Sequence, residues 1–371
     1  MTAPELRRLV KTGLAVGAHW SRLDRVIAAR RGLDRAPLVL GYHRVVRDFE
    51  RSARDSMPSM LVSTTMLERH LNWVGDRYRF VSLDELAERL ADGGRRGRAV
   101  SHGDKPLAAV TFDDGYRDVY ENAFPLLRKK RIPFAVYVVT DLVGTDRLQL
   151  HDELYLLLAA VLALDPSARS DCWRSLVEEV GGDPQRAALF RRVDESGDAY
   201  RATRLVLHGL GAEELGRAMA MLRTRVPLNL DQCRAFLSLD WPMLREMLAA
   251  GVTVGSHTRS HALLASAPTD RVREELEGSR RELETQLGVP VRHLAYPDGS
   301  YNAETVRAAH AAGYRTATTT GVHQSRDFPG LTIPRRMLWE GACNDVRGRF
   351  SPAILSCQVS GLFDSVADHE H

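Results

Sequence analysis

Short apolar or β-branched segments alternate with segments of helical periodicity along most of the chain. The short segments are four to eight residues long and have the composition of buried strands: Pro37–Tyr42, Leu107–Phe112, Pro133–Thr140, Val252–Gly255, His293–Tyr296 and Arg315–Thr320. Segments with helical spacing lie between several of them, including Tyr116–Lys130 and Asp270–Leu287. This order of strand, helix and strand favours parallel βα units, so the pattern predicts an α/β fold with a parallel sheet.

The strand pattern stops for roughly 90 residues in the middle of the chain. His151–Leu164, Ala187–Arg192 and Glu213–Arg223 are typical of helices, and Gly, Pro and Asp residues separate them. We therefore predict a helical insertion, and we expect it to affect access to the site. The predicted organisation is a basic amphipathic N-terminal helix at 1–36, an α/β domain at 37–340 with the insertion at 146–238, and a C-terminal tail at 341–371.

The composition excludes several classes of protein. The chain has 51 basic and 48 acidic residues, and a net charge of +3 is too small to indicate nucleic-acid binding. Cys172, Cys233, Cys343 and Cys357 are widely spaced and form no CxxC pair, so buried thiols are expected rather than disulfides or a zinc ribbon. No run of about 18 uncharged apolar residues is present, so we expect no membrane-spanning helix.

The N-terminal residues combine apolar positions at helical spacing, such as Leu6, Val10 and Leu14, with many Arg residues. Two interpretations stay open: an amphipathic helix that lies on an anionic membrane surface through residues 1–35, and a helix packed on its own domain. The apolar stretch Thr12–Trp20 is short and contains a histidine, unlike a secretory signal. We therefore expect a cytoplasmic protein, with peripheral contact at the inner membrane face as a further expectation.

Two pairs of chemically active side chains follow predicted strands. Asp113 and Asp114 come directly after the second strand, and adjacent carboxylates are costly unless a cation or a proton separates them. His257 and His261 follow the fourth strand, and their spacing predicts that both lie on one face of a helical turn. Each pair alone is a weak signal; an Asp-Asp-Gly sequence, for example, is common in turns. Two His and one carboxylate from different strand ends form a recurring open site for a divalent metal.

Three motifs occur in a fixed order: TFDDG at Thr111–Gly115, SHTRSH at Ser256–His261 and AYPDG at Ala295–Gly299. Together they resemble the polysaccharide deacetylases of carbohydrate esterase family 4, the NodB-homology proteins, over roughly residues 38–145 and 238–338. The resemblance implies a distorted (β/α)7-type parallel barrel. It also implies hydrolysis of the acetamide of N-acetylated amino sugars in a polysaccharide or glycan precursor, as in exopolysaccharide biosynthesis.

The resemblance implies a role for each matched residue. Asp113 would be the general base that takes a proton from the metal-activated water. Asp114, His257 and His261 would hold the divalent metal, which in this family is usually zinc. The backbone N–H of Tyr116 would help to stabilise the oxyanion.

The third motif departs from the family pattern. Tyr296 and Pro297 would line the substrate groove, but the usual Arg that holds the base is absent before them. Arg335 or Arg336, from the next predicted strand, could replace that Arg.

The late Leu-x-His motif that supplies the general acid is also absent. His43 ends the first predicted strand and resembles the Tyr-His of the branch that deacetylates poly-N-acetylglucosamine, so it is the expected acid. His323 lies in the region of the missing motif without matching it, and a structural role for His43 is the other interpretation.

The predicted function is therefore metal-dependent N-deacetylation of an amino-sugar glycan. Two alternatives remain: an amidase that acts on a small non-sugar amide, and a glycan-binding protein without activity. The intact set of Asp113, Asp114, His257 and His261 argues against the second alternative, because binding alone does not need a base and metal ligands together.

Overall fold

The computed structural model describes residues 3–34, 36–93, 105–228, 230–321 and 324–364. The chain divides into two compact units. The first contains residues 1–49, 59–145 and 238–371, and the second contains residues 50–58 and 146–237. Most of the predicted helical insertion thus lies in the second unit.

The strands of the first unit are short, and every pair of them runs parallel. In chain order they are β1 (Leu38–Tyr42), β2 (Arg44–Val46), β3 (Leu61–Ser63), β4 (Arg79–Phe80), β5 (Leu107–Phe112), β6 (Phe134–Val138), β7 (Thr253–Ser256), β8 (His293–Ala295), β9 (Thr316–Thr319), β10 (Ile333–Pro334) and β11 (Arg336–Met337). The main sheet has the order β10-β9-β8-β7-β6-β5-β1-β11, with β4 paired to the start of β5, while β2 pairs only with β3.

The sheet forms a nearly closed barrel. β10 pairs with β9 at one edge, β11 pairs with β1 at the other edge, and only Arg335 separates β10 from β11. The segment 333–337 is therefore one interrupted strand that joins both edges. Counted in this way, seven strands make up the ring, which confirms the predicted distorted (β/α)7-type barrel.

Alternate residues of the strands face two different cores. Val39, Ala109 and Ala135 belong to a small cluster of residues from β1, β5, β6, β8, β10 and the start of α5. Their neighbours along the strands, such as Leu40 and Val110, belong to the larger cluster that includes the helices around the barrel. Both faces are thus buried, as is usual for parallel strands.

The helices of the first unit lie mainly between successive strands. In chain order the helices of both units, within the described residues, are α1 (Ala3–Trp20), α2 (Leu23–Arg30), α3 (Phe49–Ser52), α4 (Thr64–Arg77), α5 (Leu83–Gly93), α6 (Phe124–Lys130), α7 (Leu150–Leu162), α8 (Pro166–Glu179), α9 (Pro184–Ser196), α10 (Ala199–Gly209), α11 (Ala212–Arg225), α12 (Leu230–Arg234), α13 (Trp241–Ala249), α14 (Thr269–Arg273), α15 (Ser279–Leu287), α16 (Ala303–Ala311) and α17 (Pro352–Val359). Short π-helical segments precede α6 and α15.

The two ends of the described chain pack together in the first unit. Ala15 and Ala18 of α1 are buried in the same core as Ile354 and Cys357 of α17. The segment after the last strand, predicted only as a tail, therefore contributes a helix and core residues.

The second unit is helical and has its own core. Between residues 150 and 234 it contains α7 to α12, of which α8, α10 and α12 were not predicted. The three helices that the sequence predicted correspond to α7, α9 and α11. Their buried apolar side chains, including Leu157, Phe190 and Leu222, form one cluster. The effect of this unit on access to the site stays a prediction. In the described part of the chain, no helix combines the length and the apolar character that crossing a bilayer requires.

Candidate active site

The predicted site residues come together at the carboxyl ends of neighbouring strands. Asp113 follows β5, and its backbone N–H donates to the carbonyl oxygen of Tyr42 at the end of β1, 2.9 Å away. His257 follows β7, and its backbone N–H donates to the carbonyl oxygen of Val138 at the end of β6, also 2.9 Å away. Because the strands are parallel, their ends share one rim of the barrel, which is where α/β barrels carry their sites.

Asp113 forms a buried ion pair with Arg335. The two terminal nitrogens of the guanidinium lie 2.6 Å from the two carboxylate oxygens, and both side chains are at most 3% exposed. Arg335 also donates to the Thr111 hydroxyl and to the Thr319 carbonyl oxygen. Ala109, Thr111 and Asp113 are alternate residues along β5 and its end, so their side chains lie on the same inner face of the barrel. Arg335 is the residue between β10 and β11.

This ion pair keeps Asp113 ionised. Burial alone would raise the pKa of the carboxyl, but the charge of Arg335 and the hydrogen bonds from its guanidinium outweigh burial, so its pKa is lowered. Of the two arginines that the sequence offered, the structure places Arg335 on Asp113. The guanidinium of Arg336 instead pairs with Asp364.

Replacing Arg335 should destabilise the protein strongly, because it leaves a buried charge unpaired. Arg335→Met leaves the Asp113 carboxylate buried without its partner, and we expect the free energy of unfolding to fall by about 3–5 kcal/mol. Urea denaturation of the metal-free protein, followed by circular dichroism, measures the change.

Arg336→Met is the matched control, because it removes the same side chain one position further along the chain. The Arg336–Asp364 pair is partly exposed, so its loss should cost clearly less. Equal losses in the two variants would contradict the account of the Asp113 pair.

Asp114, His257 and His261 form a compact cluster of potential metal ligands. The Nε2 atoms of His257 and His261 lie 3.5 Å and 3.3 Å from Oδ1 of Asp114. Asp114 and His257 are buried, His261 is partly exposed, and one ligand atom from each residue lies within 4.8 Å of the others. The cluster thus combines two nitrogens from the loop after β7 with one oxygen from the end of β5.

The hydrogen bond of His257 determines which of its two ring nitrogens carries the proton. Nδ1 lies 2.8 Å from the carbonyl oxygen of Ala295, which has no hydrogen, so Nδ1 must carry the proton. Burial is the main reason that the pKa of His257 falls to about 4, and the ring is neutral at pH 7. Nε2 therefore directs a lone pair toward the Asp114 carboxylate, an arrangement that a cation between them stabilises.

Two of the three ligand spacings in the cluster fit a tetrahedral divalent cation, and the third is within 4.8 Å. Ligand atoms at about 2.0–2.2 Å from zinc lie about 3.3–3.6 Å apart at tetrahedral angles. The two distances to Asp114 Oδ1 fall in this range. Three protein ligands also leave one position for a water or a substrate oxygen, as in catalytic rather than structural sites.

The segment from His257 to His261 is a loop, so the predicted helical turn is wrong. The backbone N–H of Thr258 donates to Oγ of Ser256, and those of Arg259 and Ser260 donate to Oε2 of Glu275 at 2.8 Å. Side chains thus satisfy the N–H groups that a helix would bond to its own carbonyl oxygens. Glu275 is fully buried, so it fixes the path of the loop between the two histidines.

Left-handed backbone conformations concentrate at these ligands. Asp114, Thr258 and His261 have φ values of 66°, 66° and 62°, which is unfavourable for residues with a side chain. Gly115 follows with φ of 65°, and a Cβ atom there would lie 2.8 Å from the side chain of Val138. The chain therefore turns sharply after Asp113, which separates the directions of the two carboxylates.

His43 lies beside both carboxylates. It directly follows β1, is half-buried, and its charge lowers the pKa of both Asp113 and Asp114. The next residue, Arg44, donates through Nε to Asp118 at 2.9 Å and lies over the ring of Tyr116 at 5.3 Å. These contacts attach the end of β1, which carries His43, to the loop that follows Asp113 and Asp114.

The remaining predicted site residues have mixed outcomes. Tyr116 directly follows Gly115, next to the two carboxylates. The role of its backbone N–H as an oxyanion donor stays a prediction. Tyr296 and Pro297 are buried, and the Tyr296 hydroxyl donates to the Leu331 carbonyl oxygen. Asp113, Asp114 and His257 are equally buried, so the predicted role of Tyr296 and Pro297 as groove-lining residues stays a prediction. His323 lies outside the described residues.

Sequence reasoning missed Glu275 and Asp118, which bind the backbone of the loops that carry the site. Glu275 is one of several acidic residues in a helical stretch, and nothing in its local sequence distinguishes it. Asp118 follows the first motif by three residues, a spacing that could have marked it as part of the same turn. Its carboxylate accepts hydrogen bonds from Arg44 and from the backbone N–H of Val45.

Comparison with known proteins adds independent information. A family model described as polysaccharide deacetylase matches residues 101–171 and 200–317, just over half of the chain. YxkH of Bacillus subtilis strain 168, which carries a provisional polysaccharide deacetylase name, is 27% identical over 101 residues. The poly-β-1,6-N-acetyl-D-glucosamine N-deacetylase of Staphylococcus aureus strain MSSA476 is 26% identical over 121 residues.

These two matches are partial. They cover 24% and 30% of this chain, and 36% and 39% of the two relatives, so the chain spans less than two-fifths of their length. The solved structure of the Streptococcus pyogenes deacetylase PplD in complex with acetate is 18% identical, with a TM-score of 0.50 over 84% of this chain and 95% of that one. This last likeness supports the barrel fold.

Proposed function

Because this chain belongs to the polysaccharide deacetylase family, we propose that it is a metal-dependent N-deacetylase that removes acetyl groups from amino sugars in a glycan. One observation carries the proposal. The neutral Nε2 of His257 and the carboxylate of Asp114 converge at 3.5 Å, directly beside an ionised Asp113 that Arg335 holds. A cation site next to a buried ionised base is the arrangement that hydrolysis of an amide requires.

Asp114, His257 and His261 would hold the cation. Two imidazole nitrogens and one carboxylate oxygen suit zinc among the common divalent metals, so we propose Zn²⁺. When bound, such a cation would lower the pKa of a water and polarise the carbonyl of the acetamide.

Asp113 acts as the general base in this proposal. Arg335 keeps its carboxylate ionised, so Asp113 can accept a proton from the attacking water as the water oxygen bonds to the acetyl carbon. Arg335 also fixes both carboxylate oxygens, so the direction of the base is set before substrate binds. The backbone N–H of Tyr116 is proposed to donate to the oxyanion.

His43 completes the proton transfer. Cleavage of the C–N bond leaves an amine that needs a proton, and the protonated imidazole of His43 would donate it, which yields acetate and the free amino sugar. The support is its position at the end of β1, where its charge acts on both carboxylates.

The role of His43 can be tested by substitution. We expect His43→Ala to lower kcat about 10²- to 10³-fold and to leave zinc affinity unchanged. The loss should be smaller for an acetanilide, because its weakly basic leaving amine needs less help from an acid. Steady-state kinetics on both substrates and competition with a zinc chelator provide these values.

His323→Ala is the comparison variant, since the sequence offered His323 as the other acid. It should retain wild-type kcat. A larger loss in His323→Ala than in His43→Ala would reverse the assignment of the acid.

The substrate class follows from the family and is also part of the proposal. The Staphylococcus aureus relative is named for poly-β-1,6-N-acetyl-D-glucosamine, so oligomers of this sugar are the first substrates to test. Acetate release from them should exceed release from small non-sugar amides of equal concentration. Comparable rates on both would favour the alternative of a small-amide amidase.

A further inference from the structure

The inner face of α1 already has a packing partner. Ala15 and Ala18 are buried against the core that includes α17, and the Cys357 thiol lies 3.8 Å from the Ala15 carbonyl oxygen. The Lys11 ammonium donates to the Ala342 carbonyl oxygen at 3.2 Å. The helix is therefore a fixed part of the first unit, and its outer face is not needed to hold it there.

The outer face of α1 is apolar and exposed. Between residues 9 and 20 the exposed positions are Leu9, Val10, Gly13, Leu14, Val16, Gly17 and Trp20. None of them carries a charge, and the exposed fractions of Leu14 and Trp20 are 60% and 85%. Leu23 and Val26 extend the exposed apolar set into α2. A surface helix normally turns its polar side outward, so this face, here called the outer apolar face, indicates a binding surface.

Positive charge borders this face. Residues 1–36 contain eight Lys and Arg against three Asp and Glu, a net charge of +5, whereas the whole chain has +3 and the rest therefore −2. Arg22, Arg25 and Arg30 are exposed along α2 and its start. Asp24, the acidic residue among them, is buried and bonded to His19 and Ser356. The exposed charge along α2 is thus basic, and Asp34 is an exposed acid after its end.

We propose that the outer apolar face of α1 and α2 binds an anionic membrane surface and lies in the plane of the lipid headgroups. Its apolar side chains would enter the headgroup boundary, and the arginines would meet the phosphates of anionic lipids. Trp20, next to Arg22, has the position that tryptophan favours at a membrane interface. A second copy of the chain is a poorer partner, because it would bring two basic ends together.

Vesicle binding of the full chain tests this surface directly. The protein should co-sediment with phosphatidylcholine vesicles that contain 30% phosphatidylglycerol and bind less to phosphatidylcholine alone. We expect Leu14→Asp to weaken binding to the anionic vesicles about tenfold or more, because it places a charge in the buried part of the interface. Binding that is equally strong in Leu14→Asp overturns the proposal.

Leu150→Asp is the matched control, because Leu150 is an exposed leucine on α7 of the second unit, outside the proposed surface. It should bind anionic vesicles like the wild type, and both variants should unfold at the wild-type urea concentration. If Leu150→Asp weakens binding as much as Leu14→Asp, the effect is not specific to α1 and the proposal fails.

Two further measurements separate the membrane from a second copy. The emission of Trp20 should shift to shorter wavelength with anionic vesicles, and Trp20→Phe should remove most of that shift. Light scattering without lipid should show the same mass for the wild type and Leu14→Asp. A dimer that depends on Leu14 in the absence of lipid would assign the face to self-association and overturn the proposal.

Discussion

Asp113→Asn should lower kcat for acetate release about 10²- to 10⁴-fold while zinc affinity changes little. The amide keeps the shape of the carboxylate but cannot accept a proton from water, and Asp113 is not among the three residues of the cation cluster. Steady-state acetate release, with zinc affinity measured by chelator competition, separates the loss of the base from the loss of the metal.

This substitution also breaks the ion pair with Arg335, so it needs a control for disruption of the site. Arg335→Met breaks the same pair but keeps the Asp113 carboxylate, and it should retain more activity than Asp113→Asn. An Asp113→Asn protein that is folded, binds zinc and turns over at the wild-type rate would show that another group is the base.

His257→Ala should remove both zinc binding and turnover. His257 contributes one of three ligand atoms and fixes its own Nε2 through the hydrogen bond from Nδ1 to Ala295. We expect zinc affinity to fall more than about 100-fold, because even loss of a supporting hydrogen bond to a ligand typically costs 10- to 100-fold. Chelator competition and acetate release on the same preparation measure the two effects.

His208→Ala is a suitable control, because His208 is an exposed histidine on α10 outside the cluster. It should retain wild-type zinc affinity and activity. Unchanged zinc affinity in His257→Ala would place the cation elsewhere and would leave the observed cluster without its proposed role.

The barrel and the strand-end residues could be predicted because their signals are local. The segment Leu107–Phe112 is apolar and ends abruptly at two acids, and a parallel strand brings its carboxyl end to the common rim. The same reasoning placed His43 and His257 correctly at the ends of β1 and β7. Arg335 and Arg336 could not be separated from sequence, since the interruption between β10 and β11 decides which of them meets Asp113.

The errors come from contacts between residues far apart in the chain. The loop from His257 to His261 has helical spacing, but Glu275 takes two of its backbone N–H groups, and no local pattern indicates this. In contrast, α8 and α9 begin with Asp-Pro steps, Asp165-Pro166 and Asp183-Pro184, a helix-start signal that was available in the sequence.

The most direct test of the account is acetate release from N-acetylglucosamine oligomers by metal-free protein as zinc is added. The cluster of Asp114, His257 and His261 predicts no release without metal, a rise that saturates at one zinc per chain, and one free amine for each acetate. Acetate release that does not respond to metal, or no release from protein that holds one zinc in this cluster, would contradict the account.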